Sequence, residues 1–152
     1  AIFQDLQGCG AWEASALGTL GRVLCAQQDA ARALSVLKEG LQHLRALGDA
    51  TAEARALDAL IHVYVASSDY RGALRTAERA RVAFKTLGNK QMESLMLRIV
   101  SWLQITASEP GWALETAEAA VALGQELQSD KDKGEALLQL GRARLAGGLW
   151  EE

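Results

Sequence analysis

Apolar residues recur every three or four positions along most of the chain, in segments separated by short polar breaks. This spacing is typical of one face of an amphipathic α-helix. Leucine and alanine dominate the composition, which favours helix over sheet. The pattern predicts an all-α protein with helices at residues 11–26, 29–46, 50–67, 70–87, 90–107, 110–127 and 130–147.

The same pattern returns every 40 residues without a gap, as Leu17, Leu57, Leu97 and Leu137 illustrate. A fixed period of this length is the signature of a repeat architecture, in which each repeat buries its apolar face against its neighbours. Each period holds two helices. Further sets in the same register are Leu20, Leu60, Val100 and Leu140; Ala33, Ala73 and Ala113; and Leu47, Leu87 and Leu127.

The breaks between segments carry residues that start and end helices. Asp29, Asp49, Asp69 and Ser129 are predicted to cap helix starts by accepting hydrogen bonds from unpaired backbone N–H groups. Pro110, the only proline, stands at a predicted first helical position, where its missing N–H costs nothing. Gly48 and Gly88 are predicted to end helices in the left-handed conformation.

Small residues recur at the 40-residue spacing where two helices must approach closely. Gly21 and Gly141 lie on first helices of the repeats. The second helices carry Ala33, Ala73 and Ala113, followed seven residues later by Gly40, Ala80 and Ala120.

These residues resemble the tetratricopeptide repeat family. Leu20-Gly21, Ala33 and Gly40 match the spacing of its pattern, as do Leu60, Tyr64, Ala73 and Ala80. Tyr70 and Trp150 match the aromatic residue that opens its second helix, whereas leucine holds its first-helix tryptophan position. The 40-residue period is similar to the longer variant of kinesin light chains and spindle-orienting scaffold proteins. The resemblance implies a right-handed α-α superhelix of three and a half to four hairpins whose first helices line a concave, peptide-binding surface.

The period divides the chain into units at residues 10–48, 49–88 and 89–128 and an incomplete unit at 129–152. Residues 1–8 are interpreted as the tail of a preceding unit, and the whole chain, 1–152, as one array and an excerpt of a longer one.

Composition and charge exclude some classes of function. The net charge is −3 and the isoelectric point about 5.5, which disfavours nucleic acid as a partner. The most apolar stretch, Leu95 to Ile105, is interrupted by Arg98 and Gln104 and is too short to span a membrane, so no membrane insertion is expected. Cys9 and Cys25 lie too far apart on one helix to pair, and free thiols favour an intracellular location, in the cytoplasm or an organelle interior.

Motifs of catalysis and cofactor binding are missing from the sequence. His43 and His62 lie on different helices without companion ligands at metal-binding spacing. The segment from Asp130 to Gly134 is similar to the start of a calcium loop, but its glycine comes one residue early and Gly141 replaces the final glutamate. We therefore expect neither catalytic activity nor a cofactor nor a metal.

A basic stripe on the fourth helix, formed by Arg71, Arg75 and Arg79, precedes an acidic helix with Glu115, Glu118 and Glu126. The first interpretation is a solvated outer face. Contact with acidic residues of a neighbouring unit is the second. A nucleic-acid stripe comes last, since no aromatic stacking residues interleave the arginines.

The concave surface implied by the resemblance supplies the candidate site. The first helix of the third repeat, at residues 90–107, is the most informative. It has almost no polar face, and a helix of this kind is covered on all sides. Either an apolar partner segment binds on Trp102, or superhelical curvature and further units close over it. The predicted partner-binding residues are Arg22, Arg55, Asp58, His62, Leu95, Arg98, Ile99, Trp102, Ile105, Leu138 and Arg142.

The sequence thus predicts a protein-interaction scaffold that binds a peptide or a partner subunit with an apolar segment, or that is itself a subunit of a larger assembly. The alternative is a regulatory or sensor repeat segment of a larger signalling or transcription-regulating protein.

Overall fold

The computed structural model of the chain describes the backbone of residues 2–148 and the side chains of residues 10–148. This part of the chain consists of seven helices and contains no strand, so the predicted all-α fold is confirmed. Trp150, matched above to a family position, lies outside the described residues. The helices are α1 (Ile2–Ala26), α2 (Ala30–Ala46), α3 (Ala50–Ala66), α4 (Tyr70–Thr86), α5 (Lys90–Thr106), α6 (Pro110–Glu126) and α7 (Asp130–Ala146).

The helix starts follow the predicted capping chemistry. Asp29, Asp49, Asp69 and Ser129 each accept a hydrogen bond from the backbone N–H three residues later, at 2.8 to 3.2 Å. Asn89 caps α5 in the same way, through the N–H of Met92 at 3.1 Å. Pro110 is the first residue of α6. Because these caps recur with the repeat, they place the helix starts at a constant spacing.

The turns between helices contain left-handed residues at regular positions. Gly48 and Gly88 have φ values of +71° and +68°, as predicted, and Gln128 adopts φ +51° at the equivalent position. The turns after α1, α3 and α5 also contain left-handed residues, which the sequence did not indicate because they are not glycine. These are Gln28, Ser68 and Ser108, with φ values of 60° to 63°.

Helix α1 runs without interruption from Ile2 to Ala26, so it begins well before the predicted start at residue 11. Residues 2–8, interpreted as the tail of a preceding unit, are therefore continuous with the first helix of the next unit. The physical reason lies at position 9. Asp49, Asn89 and Ser129 cap a helix at the equivalent positions of later repeats, whereas Cys9 stands here and lacks a good capping oxygen.

The chain divides into two compact units, Ala1–Ala83 and Phe84–Glu152. In the first unit, helices α1, α2 and α3 pack on one another, with Leu37, Leu57 and Ile61 fully buried. In the second unit, α5, α6 and α7 do the same. Its core combines large residues of α5, such as Met96 and Val100, with small residues of α6 and α7 such as Ala117 and Ala143.

The predicted close contacts at small residues are confirmed in most positions. Ala33, Ala73, Ala113, Ala80 and Ala120 are fully buried. A methyl group on Gly21 would lie 2.9 Å from Leu37 Cδ1, and one on Gly40 would lie 2.4 Å from Leu17 Cδ1, so both sites require glycine's small size. Gly141 is the exception, since no atom of the described residues lies within 4 Å of its added Cβ.

Candidate interaction surface

An open cavity of about 250 Å³ lies between α1 and α3. These two helices are the first helices of successive repeats. Four of the predicted residues, Arg22, Arg55, Asp58 and His62, line this one cavity. The sequence prediction that they share a surface is therefore consistent with the structure. The remaining lining residues are Ala14, Ser15, Gly18 and Ala59.

Helical spacing gathers these side chains, and a glycine leaves room between them. On α1 the lining positions 14, 15, 18 and 22 fall on one helix face, as do 55, 58, 59 and 62 on α3. Gly18 stands at the centre. A Cβ added there would lie 3.5 Å from the Cβ of Ala59, an ordinary van der Waals distance. Two small residues therefore face each other and the space above them stays open.

Asp58 is the least solvated charged group of the cavity, with 28% of its side chain exposed. Its Oδ1 accepts no hydrogen bond among the described residues, and His62 Nε2 lies 3.9 Å away. Burial raises the pKa of this carboxyl above its ordinary value, while the charge of His62 opposes the shift. Asp58 is therefore an acceptor available to a donor from outside the chain.

The two arginines of the cavity have free hydrogen-bonding capacity. Arg22 is exposed, and its Nη2 lies 3.4 Å from Thr19 Oγ1, which is a long hydrogen bond. Arg55 is exposed and has no ion-pair partner among the described side chains. A guanidinium presents five N–H donors in a planar fork that suits carboxylates. The lining thus carries two unpaired positive groups beside one desolvated acid.

The equivalent place in the second unit is filled instead of open. Arg98 stands at the repeat position of Gly18, and only 12% of its side chain is exposed. It forms an ion pair with Glu135, which stands at the position of Arg55. One repeat position therefore makes a cavity in one unit and a salt bridge in the other. Arg98, predicted to bind a partner, is engaged in this ion pair within the chain.

The same three helices of the second unit also share a buried polar network, which the sequence did not predict. Ser101 Oγ donates a 2.8 Å hydrogen bond to the carbonyl oxygen of Ala113 and accepts one of 3.3 Å from Gln139 Nε2. These bonds join α5 to both α6 and α7. Serine on a helix face gives no sequence signal of such a role, because the same residue is common on solvated faces.

The apolar candidates of the second unit differ in how far they are exposed. Leu95 and Ile99 are half-buried, Trp102 is 37% exposed, and Leu138 is 59% exposed. Ile105 is half-buried and packs against the buried cluster of Ala113, Ala117 and Ala143. Arg142 is exposed.

Helix α5 is less uniformly apolar on its inner side than predicted. Ser94, Ser101 and Gln104 are buried while Trp102 is partly exposed. The rule that an apolar helix is covered on all sides therefore does not hold for α5 in the described chain.

The basic stripe on α4 is exposed at Arg71, Arg75 and Arg79, which agrees with the solvated-face interpretation. Arg81 pairs with Glu78 on the same helix at 2.8 Å. Lys90 forms an ion pair with Glu126 of α6. Exposed pairs of this kind contribute little to stability.

Among the described side chains, no group of three His, Cys, Asp or Glu residues is placed to hold a metal ion. No helix in the described part of the chain combines the length and the apolar character needed to cross a membrane. No protein-family model matches the sequence, and no curated protein is significantly similar to it.

Proposed function

We propose that the protein is an interaction module of the tetratricopeptide type, a right-handed superhelix that holds another polypeptide without acting on it chemically. The single observation that carries this proposal is the cavity between α1 and α3. Arg22 of α1 and three residues of α3, namely Arg55, Asp58 and His62, line this one open space. The 40-residue register and its small-residue contacts support the choice of family.

The chemistry of the cavity suits an extended peptide segment that carries an acidic side chain. Arg22 and Arg55 offer guanidinium donors to a carboxylate, and such charge-assisted bonds are about twice as strong as neutral ones. Asp58 Oδ1 can accept a backbone N–H from the same segment, which relieves an unpaired buried acceptor. Since the two arginines outnumber the one aspartate, the cavity favours an anionic partner over a cationic one.

The second unit contributes a separate apolar surface to this proposal. Trp102 and Leu138 expose apolar area on α5 and α7. Tryptophan is among the residues that most often anchor a partner. We propose that an apolar segment of the partner, or of a larger assembly to which the protein belongs, binds there.

We also propose an intracellular location. Cys25 is a free thiol, as a reducing compartment favours.

A random peptide library displayed on phage tests the binding function directly. We expect the folded chain to select peptides that share an acidic residue. Gly18→Leu fills the cavity with a residue that this chain already carries at the same repeat position, Leu138. It should weaken binding of a selected peptide at least about tenfold, or 1.4 kcal/mol.

The matched control is Gly18→Ala, which adds one methyl group in ordinary contact with Ala59 and leaves the cavity open. We expect it to bind as the unmodified protein does. Selection of no peptide, or of peptides that bind Gly18→Leu equally well, contradicts the proposal. Circular dichroism of both variants separates a blocked cavity from a lost fold.

A further inference from the structure

An exposed tryptophan lines an open pocket at the start of α6, apart from the cavity between α1 and α3. Trp112 is 64% exposed, and the pocket beside it has a volume of about 460 Å³. Tryptophan is among the side chains that most often anchor a partner, so its exposure in a pocket points to binding. The remaining lining residues are Glu109, Pro110, Gly111 and Glu115, all in the second compact unit.

The repeat register shows that this face stays open when another repeat follows. Arg32 and Ser35 hold the positions of Trp112 and Glu115 in the first repeat. Both are exposed, although α3 and α4 of the same compact unit follow them in the chain. Trp112 therefore lies on a face that a complete following repeat leaves accessible to a partner.

Two carboxylates flank the tryptophan and are not engaged within the described chain. Glu109 and Glu115 stand three residues before and after Trp112, a spacing that places all three along one side of the helix. The side chain of Glu109 makes no capping hydrogen bond, unlike Asp29 and Asp69 at the same repeat position. Neither glutamate forms an ion pair with a described residue, and no described cation lies over the Trp112 ring.

The helix ends around the pocket favour a positively charged occupant. Helix α5 ends just before the pocket, and α7 ends next to Pro110, since a Cβ added to Gly147 would lie 3.7 Å from Pro110 Cβ. A helix C-terminus carries a partial negative charge and an N-terminus a partial positive one. Two helices end here and one begins, α6 contains no basic residue, and Arg144 in the last turn of α7 does not line the pocket.

We propose that this pocket receives an arginine side chain from a partner polypeptide. The guanidinium stacks on the Trp112 ring, whose π face attracts a cation, and donates hydrogen bonds to Glu109 and Glu115. Charge complementarity selects this occupant. Both glutamates repel an acidic segment, and an apolar segment would desolvate them without pairing them. The pocket thus prefers the opposite charge to the cavity between α1 and α3, and its assignment does not depend on that cavity.

An NMR titration of the ¹⁵N-labelled chain tests this proposal, and the probe is a short peptide in which glycine and arginine alternate. The backbone amide signal of Gly111, a lining residue, reports on binding in every variant. We expect this signal and the indole signal of Trp112 to shift and to reach saturation. The matched probe carries citrulline in place of arginine. Citrulline has nearly the same shape but no charge, and it should shift neither signal.

Three substitutions separate the contributions to binding. Trp112→Leu keeps an apolar side chain but removes the aromatic face, and it should raise the Kd at least about threefold, as expected for a cation–π contact at an exposed site. Glu115→Gln removes one flanking charge and should raise the Kd about twofold or more. Glu118→Gln is the matched control, because Glu118 is an exposed carboxylate of the same helix that does not line the pocket. It should leave the Kd nearly unchanged.

Any of four results overturns the proposal. The arginine peptide shifts neither signal, or the citrulline peptide binds as tightly, which indicates apolar docking. Trp112→Leu leaves the Kd unchanged, or Glu118→Gln weakens binding as much as Glu115→Gln does, which indicates attraction by net charge alone. Circular dichroism checks that each variant is folded. If Trp112→Leu is not, Glu109→Gln replaces it and should raise the Kd about twofold or more, and an unchanged Kd then counts against the pocket.

Discussion

Gly18 and Ala59 face each other across α1 and α3, with room for one methyl group between them, since a Cβ on Gly18 would lie 3.5 Å from that of Ala59. Glycine in a helix interior costs about 1 kcal/mol relative to alanine. Gly18→Ala should therefore raise the free energy of unfolding by up to about 1 kcal/mol, as urea denaturation measures.

At Gly40 on α2, substitution by alanine should have the opposite effect on stability to that at Gly18. An added Cβ would lie 2.4 and 2.7 Å from the two δ-carbons of Leu17, so this side chain must move. Gly40→Ala should lower the free energy of unfolding in spite of the helix propensity gained, since overpacking typically costs about 1–3 kcal/mol. Equal stabilisation by both substitutions would show that α1 and α2 are not in close contact.

Asp58 should give the stability of the fold a pH dependence. Burial raises its pKa above the ordinary value of 3.8, so the folded state favours the protonated form. Its contribution to stability is therefore fully present below pH 3.8 and is lost as the pH rises through the raised pKa. Asp58→Asn, which stays neutral, should be more stable than the unmodified chain above that pKa, by a margin that shrinks on acidification.

Urea denaturation at a series of pH values measures this margin. Glu118→Gln, which removes an exposed carboxylate from α6, serves as control and should leave the profile nearly unchanged. An Asp58→Asn variant that is less stable at neutral pH would show that the carboxylate is stabilised by its neighbours instead of penalised by burial.

Ser94 and Ser101 on α5 are both fully buried but differ in their hydrogen bonds. Ser101 Oγ bonds to Ala113 and Gln139, whereas Ser94 Oγ has no hydrogen-bond partner among the described residues. Ser101→Ala should lower the free energy of unfolding by about 1–3 kcal/mol, because it leaves Gln139 without its buried partner.

Ser94→Ala, two turns away on the same helix, should be neutral or stabilising, because it removes a buried hydroxyl that has no partner. Thermal or urea denaturation of the two variants checks the difference. Equal effects of the two substitutions would indicate that the network around Ser101 does not contribute to stability.

The left-handed turn residues allow a further pair of substitutions with opposite expected effects on stability. Gln128 has φ +51°, where a side chain other than glycine is strained by about 1–2 kcal/mol. Gln128→Gly should raise the free energy of unfolding by up to about 1 kcal/mol once the flexibility of unfolded glycine is subtracted. Gly88→Ala should lower it by about 1 kcal/mol through the backbone alone, since nothing lies within 4 Å of Gly88. Changes of the opposite sign in the free energy of unfolding would contradict the left-handed conformation of these two residues.

The helix boundaries could be predicted from the sequence because they depend on local chemistry. Asp29, Asp49, Asp69 and Ser129 cap helices through N–H groups three residues away, and the same spacing repeats through the chain. Two features could not be predicted in this way, because the local chemistry there is ambiguous. Helix α1 continues through Cys9, and Gln28 adopts a positive φ although glutamine gives no indication of a left-handed conformation.

The candidate site was only partly predictable, since its character depends on contacts between helices. The concave surface that the resemblance implies includes Arg22, Arg55, Asp58 and His62, and these four residues line one cavity. Whether a repeat position is open or filled depends on side-chain size and on the opposite helix. Gly18 leaves a cavity, whereas Arg98, at the same position, meets Glu135 and fills the space. Such pairing over a distance has no signature in a single sequence.

The most direct test of the central claim is an NMR titration of the ¹⁵N-labelled chain with a selected acidic peptide. Gly18 supplies an amide signal at the centre of the cavity, and the His62 ring signals report on its rim. We predict that these signals, with those of Arg55 and Asp58, shift most and saturate with one peptide per chain. Shifts confined to residues outside the cavity, such as the exposed stripe of Arg71, Arg75 and Arg79 on α4, would contradict it.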